Sequence, residues 1–143
     1  MTIKKQFLLL IALLLSSFFE SAQIKIKNFQ LFVEIVESTE DRARGLMHRT
    51  ELDANAGMLF IWPEADRKCM WMKNTSIPLS VAYLDERYVI REIYDLIPYS
   101  EKNVCSKSKK IKYALEVNKD WFKEKDIRIL SKVSLLEIGR AHV

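Results

Sequence analysis

The chain has 143 residues, of which 49% are hydrophobic and 29% charged, and its formal net charge is +4. This length suits one small domain, and so modest a positive charge does not indicate a nucleic-acid partner. The chain contains only two histidines, which excludes sites built on several histidines, such as helical His-Glu-x-x-His zinc proteases.

The N-terminus has the order of a secretory leader. Lys4 and Lys5 precede an unbroken apolar run over residues 7–15, and a polar segment with small residues follows. This order predicts a cleavable signal peptide over residues 1–22, because the apolar run is too short to span a bilayer. We therefore expect an exported protein, periplasmic or extracellular, that contacts a membrane only through the leader if the leader stays uncleaved.

The C-terminal residues have an unusual coding pattern. Residues 137–143, EIGRAHV, can be encoded by a string that resembles a widely used sequencing adapter. We expect residues 136–143 to be a non-native tail from adapter read-through and exclude them from fold reasoning. The expected folded unit is a single β domain over residues 23–135.

The domain begins with strand patterns. Apolar and polar residues alternate with a period of two over residues 24–38, which predicts one long strand or two consecutive ones. Ser38 or Thr39 can cap a short helix that ends near Gly45.

Short β-prone runs then follow one another, and two of them flank the polar turn at 85–87 as a predicted hairpin. The predicted strands span residues 56–62, 68–73, 79–85, 88–96, 112–117 and 127–135. This spacing predicts a mainly β fold, a small antiparallel β-sandwich or jelly-roll-like barrel with one or two short helices.

Cysteine and methionine raise two separate questions. Cys69 and Cys105 are the only cysteines, and an even pair in an exported protein predicts a disulfide, with free thiols or a soft-metal pair as alternatives. Several thioethers and one imidazole are soft ligands of the kind that hold Cu(I), although methionine commonly fills gaps in a core. These residues are Met47, His48, Met58, Met70 and Met72. No other cofactor is expected.

A polar group interrupts the apolar segment after Trp71. Lys73, Asn74 and Thr75 form either a turn that ends a strand or a site that offers a cation to a ligand. Glu116 lies within an apolar strand, where a carboxylate needs a partner such as Lys73.

Four motifs, GLMHR (45–49), GMLF (57–60), CMWMKNTSIPLSVAYLD (69–85) and YALEV (113–117), resemble in their order the domain-of-unknown-function 192 family, also called uncharacterised protein family 0127. The cysteines resemble those of its exported, proteobacterial-type branch. The resemblance implies a compact β-sandwich or jelly-roll-like fold and no established activity. The candidate ligand-binding residues that match its motifs are Arg49, Trp71, Lys73, Asn74, Thr75, Asp85 and Glu116.

Two classes of function follow from these residues. The first is a non-catalytic module of the cell envelope that binds a small ligand or a protein partner. The second is an envelope-acting enzyme in which Lys73, Asp85 and Glu116 serve as acid, base or electrostatic groups, and copper binding is a more distant third. Convergence of those three side chains in one concave pocket would favour the enzyme.

Overall fold

The chain folds into nine strands and two short helices within the part that the computed structural model describes, residues 18–142, with side chains described from 20 to 139. In chain order these elements are β1 (Phe18–Ile26), β2 (Phe29–Val36), α1 (Thr39–Arg44), β3 (Ala56–Asp66), β4 (Cys69–Met70), β5 (Leu79–Asp85), β6 (Ile90–Leu96), β7 (Val104–Cys105), β8 (Ile111–Asn118), α2 (Trp121–Glu124) and β9 (Val133–His142). The predicted mainly β class with short helices is confirmed.

Seven strands form one open sheet in the order β6-β5-β8-β3-β2-β1-β9, and β4 pairs with β7 in a second, two-stranded sheet. β2 and β3 run parallel, whereas the other neighbouring pairs are antiparallel. The large sheet is therefore mixed rather than purely antiparallel. The parallel pair arises because α1 and the loop after it return the chain to the same end of the sheet before β3 begins.

The two ends of the strand order approach each other at one corner. The backbone N–H of Ile90 donates to the carbonyl of Ser131 at 2.9 Å, and that of Val133 donates to Tyr88 at 2.9 Å. These bonds join the start of β6 to the segment before β9, so the sheet curls strongly without closing into a barrel.

Both faces of the central strands are buried. On one face, side chains of β1, β2 and β8 pack with Trp121 and Phe122 of α2. On the other face, Phe60 of β3 and Tyr83 of β5 pack beneath the segment that carries Met72. Every residue of β5 is buried, which explains why its sequence is apolar without a clean period of two.

The predicted disulfide is confirmed. Cys69 and Cys105 face each other across β4 and β7 and are covalently joined. The bond fixes the segment that follows β4 to the long loop before β8, and the Ser106 backbone N–H adds a 2.8 Å hydrogen bond to the carbonyl of Lys68. The covalent link thereby positions one wall of the site described below.

The two predicted boundaries fall inside one strand pair. β1 and β9 are antiparallel partners, with Phe18 opposite His142 and Ala22 opposite Ile138. The leader boundary after residue 22 and the tail boundary before residue 136 stay predictions, and the apolar run of the leader lies outside the described residues. No helix in residues 18–142 has both the length and the apolar character needed to cross a bilayer.

Candidate functional site

The Lys73-Asn74-Thr75 group forms a tight turn. The backbone N–H of Thr75 donates to the carbonyl of Met72 at 3.1 Å, and the Thr75 hydroxyl donates to the carbonyl of Lys73 at 3.0 Å. Asn74 has φ +52°, in the left-handed region that asparagine tolerates better than most side chains. The polar run is thus a structural turn that ends the apolar segment.

This turn also joins two neighbouring loops. The carbonyl of Asn74 accepts the backbone N–H of His48 at 2.9 Å, and the carbonyl of Thr75 accepts that of Tyr99 at 3.0 Å. The loop after α1 and the loop after β6 are therefore attached to the same turn. Together they cover the sheet face that carries Phe60 and Tyr83.

Beneath these loops lies a cavity of about 370 Å³. This volume falls within the range of small-molecule sites, roughly 300–1,000 Å³. Its walls are largely apolar and include Leu46, Met47, Phe60, Met70, Trp71 and Met72. The indole of Trp71 is 38% exposed, so one side of the cavity presents a large aromatic side chain to solvent.

The cavity reaches a buried carboxyl group. β8 places Glu116 between Met58 of β3 and Val81 of β5, and only 3% of its surface is exposed. Among the side chains of residues 20–139, none donates a hydrogen bond to this carboxyl and no cation pairs with it. Burial raises the pKa of Glu116 to about 8, so the group is largely protonated at neutral pH.

Tyr83 lies close to Glu116 but does not satisfy it. Its hydroxyl donates to the carbonyl of Val104 at 2.5 Å. Burial, with a smaller contribution from the charge of Glu116, raises the pKa of Tyr83 well above its ordinary value. Tyr83 therefore stays neutral near neutral pH, and its hydroxyl hydrogen is already used in the bond to Val104.

The mouth of the cavity is positively charged. Arg42 donates to the carbonyls of Glu37 and, at 3.1 Å, of Ile61. Arg44 also lines the cavity and is largely exposed, with its guanidinium 3.9 Å from the carboxylate of Asp41. The site therefore combines a cationic mouth with an acidic floor that has no partner among the described side chains.

Lys73 does not line the cavity and contacts an aromatic ring rather than a carboxylate. Its Nζ is 5.3 Å from the ring centre of Trp71. The ion pair that the sequence suggested with Glu116 is not formed within the described part of the chain. The exposed amide of Asn103 is a further polar group of the cavity lining.

Asp85 is buried in a different place and has a different role. Its carboxylate accepts the backbone N–H groups of Arg87 at 2.9 Å and Val89 at 3.1 Å, and the Nε–H of Arg91 at 2.7 Å. Burial alone would raise the pKa of Asp85, but these three donors lower it below its ordinary value. Asp85 therefore organises the turn between β5 and β6 and does not line the cavity.

The structure thus separates the residues that the sequence grouped together. Trp71, Thr75 and Glu116 line the cavity, and Lys73 and Asn74 form the adjoining turn. Arg49 forms a 2.6 Å ion pair with Glu34, and like Asp85 it is not part of the lining. Sequence reasoning missed Arg42, Arg44 and Asn103, because no motif distinguishes them from ordinary surface residues.

The proposed copper ligands are divided in the same way. Met47, Met70 and Met72 line the cavity, whereas Met58 is buried beside Glu116 in the core. His48 is exposed, has φ +64° and does not line the cavity. Within the described residues, no group of three or more His, Cys, Asp or Glu side chains is arranged to hold a metal ion.

Fold and site together define a mixed β-sheet domain with a ligand-sized cavity, a cationic and aromatic mouth and, on the floor, a carboxyl that no described side chain pairs with. The chain belongs to the DUF192 family, whose family model, described as "Uncharacterized ACR", matches residues 22–135. The resemblance inferred from the four motifs is thereby confirmed.

Two solved structures with this fold are among those that resemble the chain. A protein from Sinorhizobium meliloti 1021, described provisionally as a transcription regulator, is 28% identical, with a TM-score of 0.75 over 84% of this chain and 95% of that chain. A protein of unknown function from Novosphingobium aromaticivorans DSM 12444 is 25% identical, with a TM-score of 0.76 over 80% of this chain and 84% of that chain. No curated protein matches the chain.

Proposed function

We propose that this protein is an exported binding module of the cell envelope that holds a small ligand in the Glu116 cavity. The observation that carries the proposal is the Glu116 carboxyl, which is buried, faces the cavity and has no partner among the described residues. A ligand that donates to this carboxyl would supply the hydrogen bonds that the described side chains do not.

The geometry supports binding better than catalysis. An enzyme that uses Lys73, Asp85 and Glu116 requires the three groups to converge on one substrate. Asp85 is saturated by its own turn, and Lys73 lies over Trp71. Of the three, only Glu116 faces the cavity, and a single acid without a second titrating group is better suited to holding a ligand.

Two features support export. The leader-like order of residues 1–22 is typical of secretion, and the bond between Cys69 and Cys105 is of a kind that persists in oxidising compartments. A ligand that this protein meets would then be a component of the envelope or the medium.

The experiment that tests this proposal blocks the cavity and leaves the fold unchanged. Ala43 is exposed on α1 and lines the cavity, so Ala43→Trp would fill the mouth. Ala54 is exposed on a turn and does not line the cavity, so Ala54→Trp is the matched control. Each protein is dialysed against a low-molecular-weight extract of the cell envelope, and the retained compounds are identified by mass spectrometry.

We expect the wild type and Ala54→Trp to retain the same compound and Ala43→Trp to lose it. If all three proteins retain the same compounds, or if none is enriched, the cavity is not a binding site. Circular dichroism of the three proteins checks that the β fold is unchanged.

A further inference from the structure

We propose that the ligand is a small zwitterion of the amino-acid type, whose primary ammonium group binds the Glu116 carboxylate on the cavity floor and whose carboxylate binds Arg44 at the mouth. This inference rests on the proposed binding function and specifies its ligand class.

Within the described part of the chain, the floor has neither a cation nor a free hydrogen-bond donor. Glu116 is flanked across the ladder by Met58 and Val81, neither of which can donate, and the Tyr83 hydroxyl is already bonded to Val104. A ligand hydroxyl would supply one donor and leave the carboxylate charge uncompensated. An ammonium group supplies up to three donors and the opposite charge, and charge-assisted hydrogen bonds are roughly twice as strong as neutral ones.

The mouth favours an anionic group on the same ligand. The Arg44 guanidinium lies 3.9 Å from the Asp41 carboxylate, and 62% of its side chain is exposed, so it can donate hydrogen bonds to a ligand carboxylate. Arg42 adds a second positive charge, although its N–H groups are directed at the backbone carbonyls of Glu37 and Ile61. These guanidinium groups would repel a ligand with an ammonium group alone, whereas a zwitterion carries a group of the opposite charge for Glu116 and another for Arg44.

The walls accommodate an apolar side chain. Met47, Met70 and Phe60 present thioether and aromatic surface between floor and mouth, and Trp71 extends it to solvent. Methionine-rich surfaces adapt to ligands of varied shape. An amino acid with an aliphatic side chain therefore fits the walls, and a highly polar ligand does not.

Ammonium binding is coupled to the ionisation of Glu116. Besides Glu116, the charged groups that line the cavity are Arg42 and Arg44 of α1. Tyr83 of β5 lies near Glu116, and the positions of β3 that face Glu116 are apolar. Arginine stays charged, and Tyr83 stays neutral near neutral pH. Because burial holds the pKa of Glu116 at about 8, binding at neutral pH releases a proton, and affinity rises as pH increases toward 8.

The test uses three probes of matched shape. L-leucine carries both charged groups, isoamylamine carries only the ammonium group, and isocaproate carries only the carboxylate. Binding is measured by calorimetry on the full chain, on Glu116→Gln and on Arg44→Gln. The control is Glu92→Gln, which changes a half-buried carboxyl that accepts the Lys107 backbone N–H outside the cavity.

We expect L-leucine to bind the wild type and Glu92→Gln with equal affinity, isoamylamine to bind more weakly and isocaproate not to bind. Glu116→Gln should weaken L-leucine and isoamylamine at least tenfold, whereas Arg44→Gln should weaken L-leucine but not isoamylamine. Affinity for L-leucine should rise by up to about tenfold for each pH unit between about pH 6 and 8, since one proton is released.

Three results would overturn the inference: isocaproate binding as tightly as L-leucine, affinity falling as pH rises, or no binding of any probe. The dialysis experiment separates this failure from failure of the proposed function. A compound that Ala43→Trp loses but that has no primary ammonium group refutes the zwitterion and supports the cavity as a binding site. Equal retention by Ala43→Trp and the wild type refutes both.

Discussion

Asp85 and Glu116 are two buried carboxyl groups on neighbouring strands, and they differ in almost every other respect. They are 7% and 3% exposed. Asp85 accepts two backbone N–H groups and a guanidinium N–H, which lower its pKa despite burial. Glu116 has no donor among the side chains of residues 20–139, and burial raises its pKa to about 8. Burial by itself therefore does not determine the role of an acidic residue in this sheet.

The difference follows from their positions along their strands. Asp85 is the last residue of β5, where the turn to β6 leaves backbone N–H groups free to be accepted. Glu116 lies in the middle of β8, paired on both sides with β3 and β5, so the nearby backbone N–H groups belong to the ladder. Backbone N–H groups therefore do not satisfy Glu116, and no described side chain does.

The largest expected effect is the pH dependence that Glu116 imposes on stability. Its folded pKa of about 8 exceeds the value of 4.5 for an ordinary glutamate, so the folded state binds more protons between these values and stability falls as pH rises through this window. The loss from this one group is about 4 kcal/mol across the window. Glu116→Gln, which stays neutral, should remove it, as measured by urea unfolding at acidic and alkaline pH.

The contrast between Glu116 and Asp85 would be contradicted if the stability of Glu116→Gln and that of the wild type depended on pH in the same way. That result would mean that the carboxyl has a partner that compensates its charge in solution. Glu92→Gln is the control, because the amides of Lys107 and Ser108 bond to that carboxylate and keep its pKa low despite burial.

Asp85→Ala should have the next largest effect on stability, and the pH dependence that Asp85 imposes should have the opposite sign to that of Glu116. It removes an acceptor from three donors, so we expect a loss of about 3 kcal/mol at neutral pH. Because the folded pKa of Asp85 is depressed, its contribution is present above the unfolded value and is lost as pH falls through the folded value. Urea unfolding of Asp85→Ala should show a smaller loss in acid than at neutral pH.

Glu86→Ala, in the same turn but exposed, provides the matched control and should change stability by no more than about 0.5 kcal/mol. An equal loss for both variants would assign the effect to the turn as a whole. The special role of the Asp85 carboxylate would then be wrong.

Part of this contrast between Asp85 and Glu116 could be predicted from the sequence. The polar residues between two apolar runs predicted the turn after Asp85, and a carboxylate inside the apolar run YALEV indicated that Glu116 needs a partner. The sequence could not show that Glu116 has no partner among the described side chains. That outcome depends on the turn at Asn74, which determines where Lys73 lies. Periodicity identifies strands but not their neighbours, so the parallel pairing of β2 with β3 was equally beyond reach.

Asn74→Ala tests whether the family motif is structural at this position. Alanine is disfavoured at φ +52°, so we expect a loss of about 1 kcal/mol, whereas Asn74→Gly should retain most of the stability because glycine adopts positive φ freely. Urea unfolding of both variants measures the difference. Equal losses would show that the amide side chain, rather than the backbone conformation, is what the turn requires.

Lys73→Met should have the smallest effect and tests the separation between the turn and the cavity most directly. The lysine contacts the exposed indole of Trp71, a contact worth about 0.5–1 kcal/mol at such sites, and methionine keeps most of the packing. Burial is the sole cause of the raised pKa of Glu116, so the midpoint of its titration, followed by carbon-13 NMR of the carboxyl, should not move. A rise in that midpoint would mean that Lys73 stabilises the Glu116 carboxylate. The two groups would then act together as the enzyme hypothesis requires, and the contrast between a structural turn and a binding cavity would have to be abandoned.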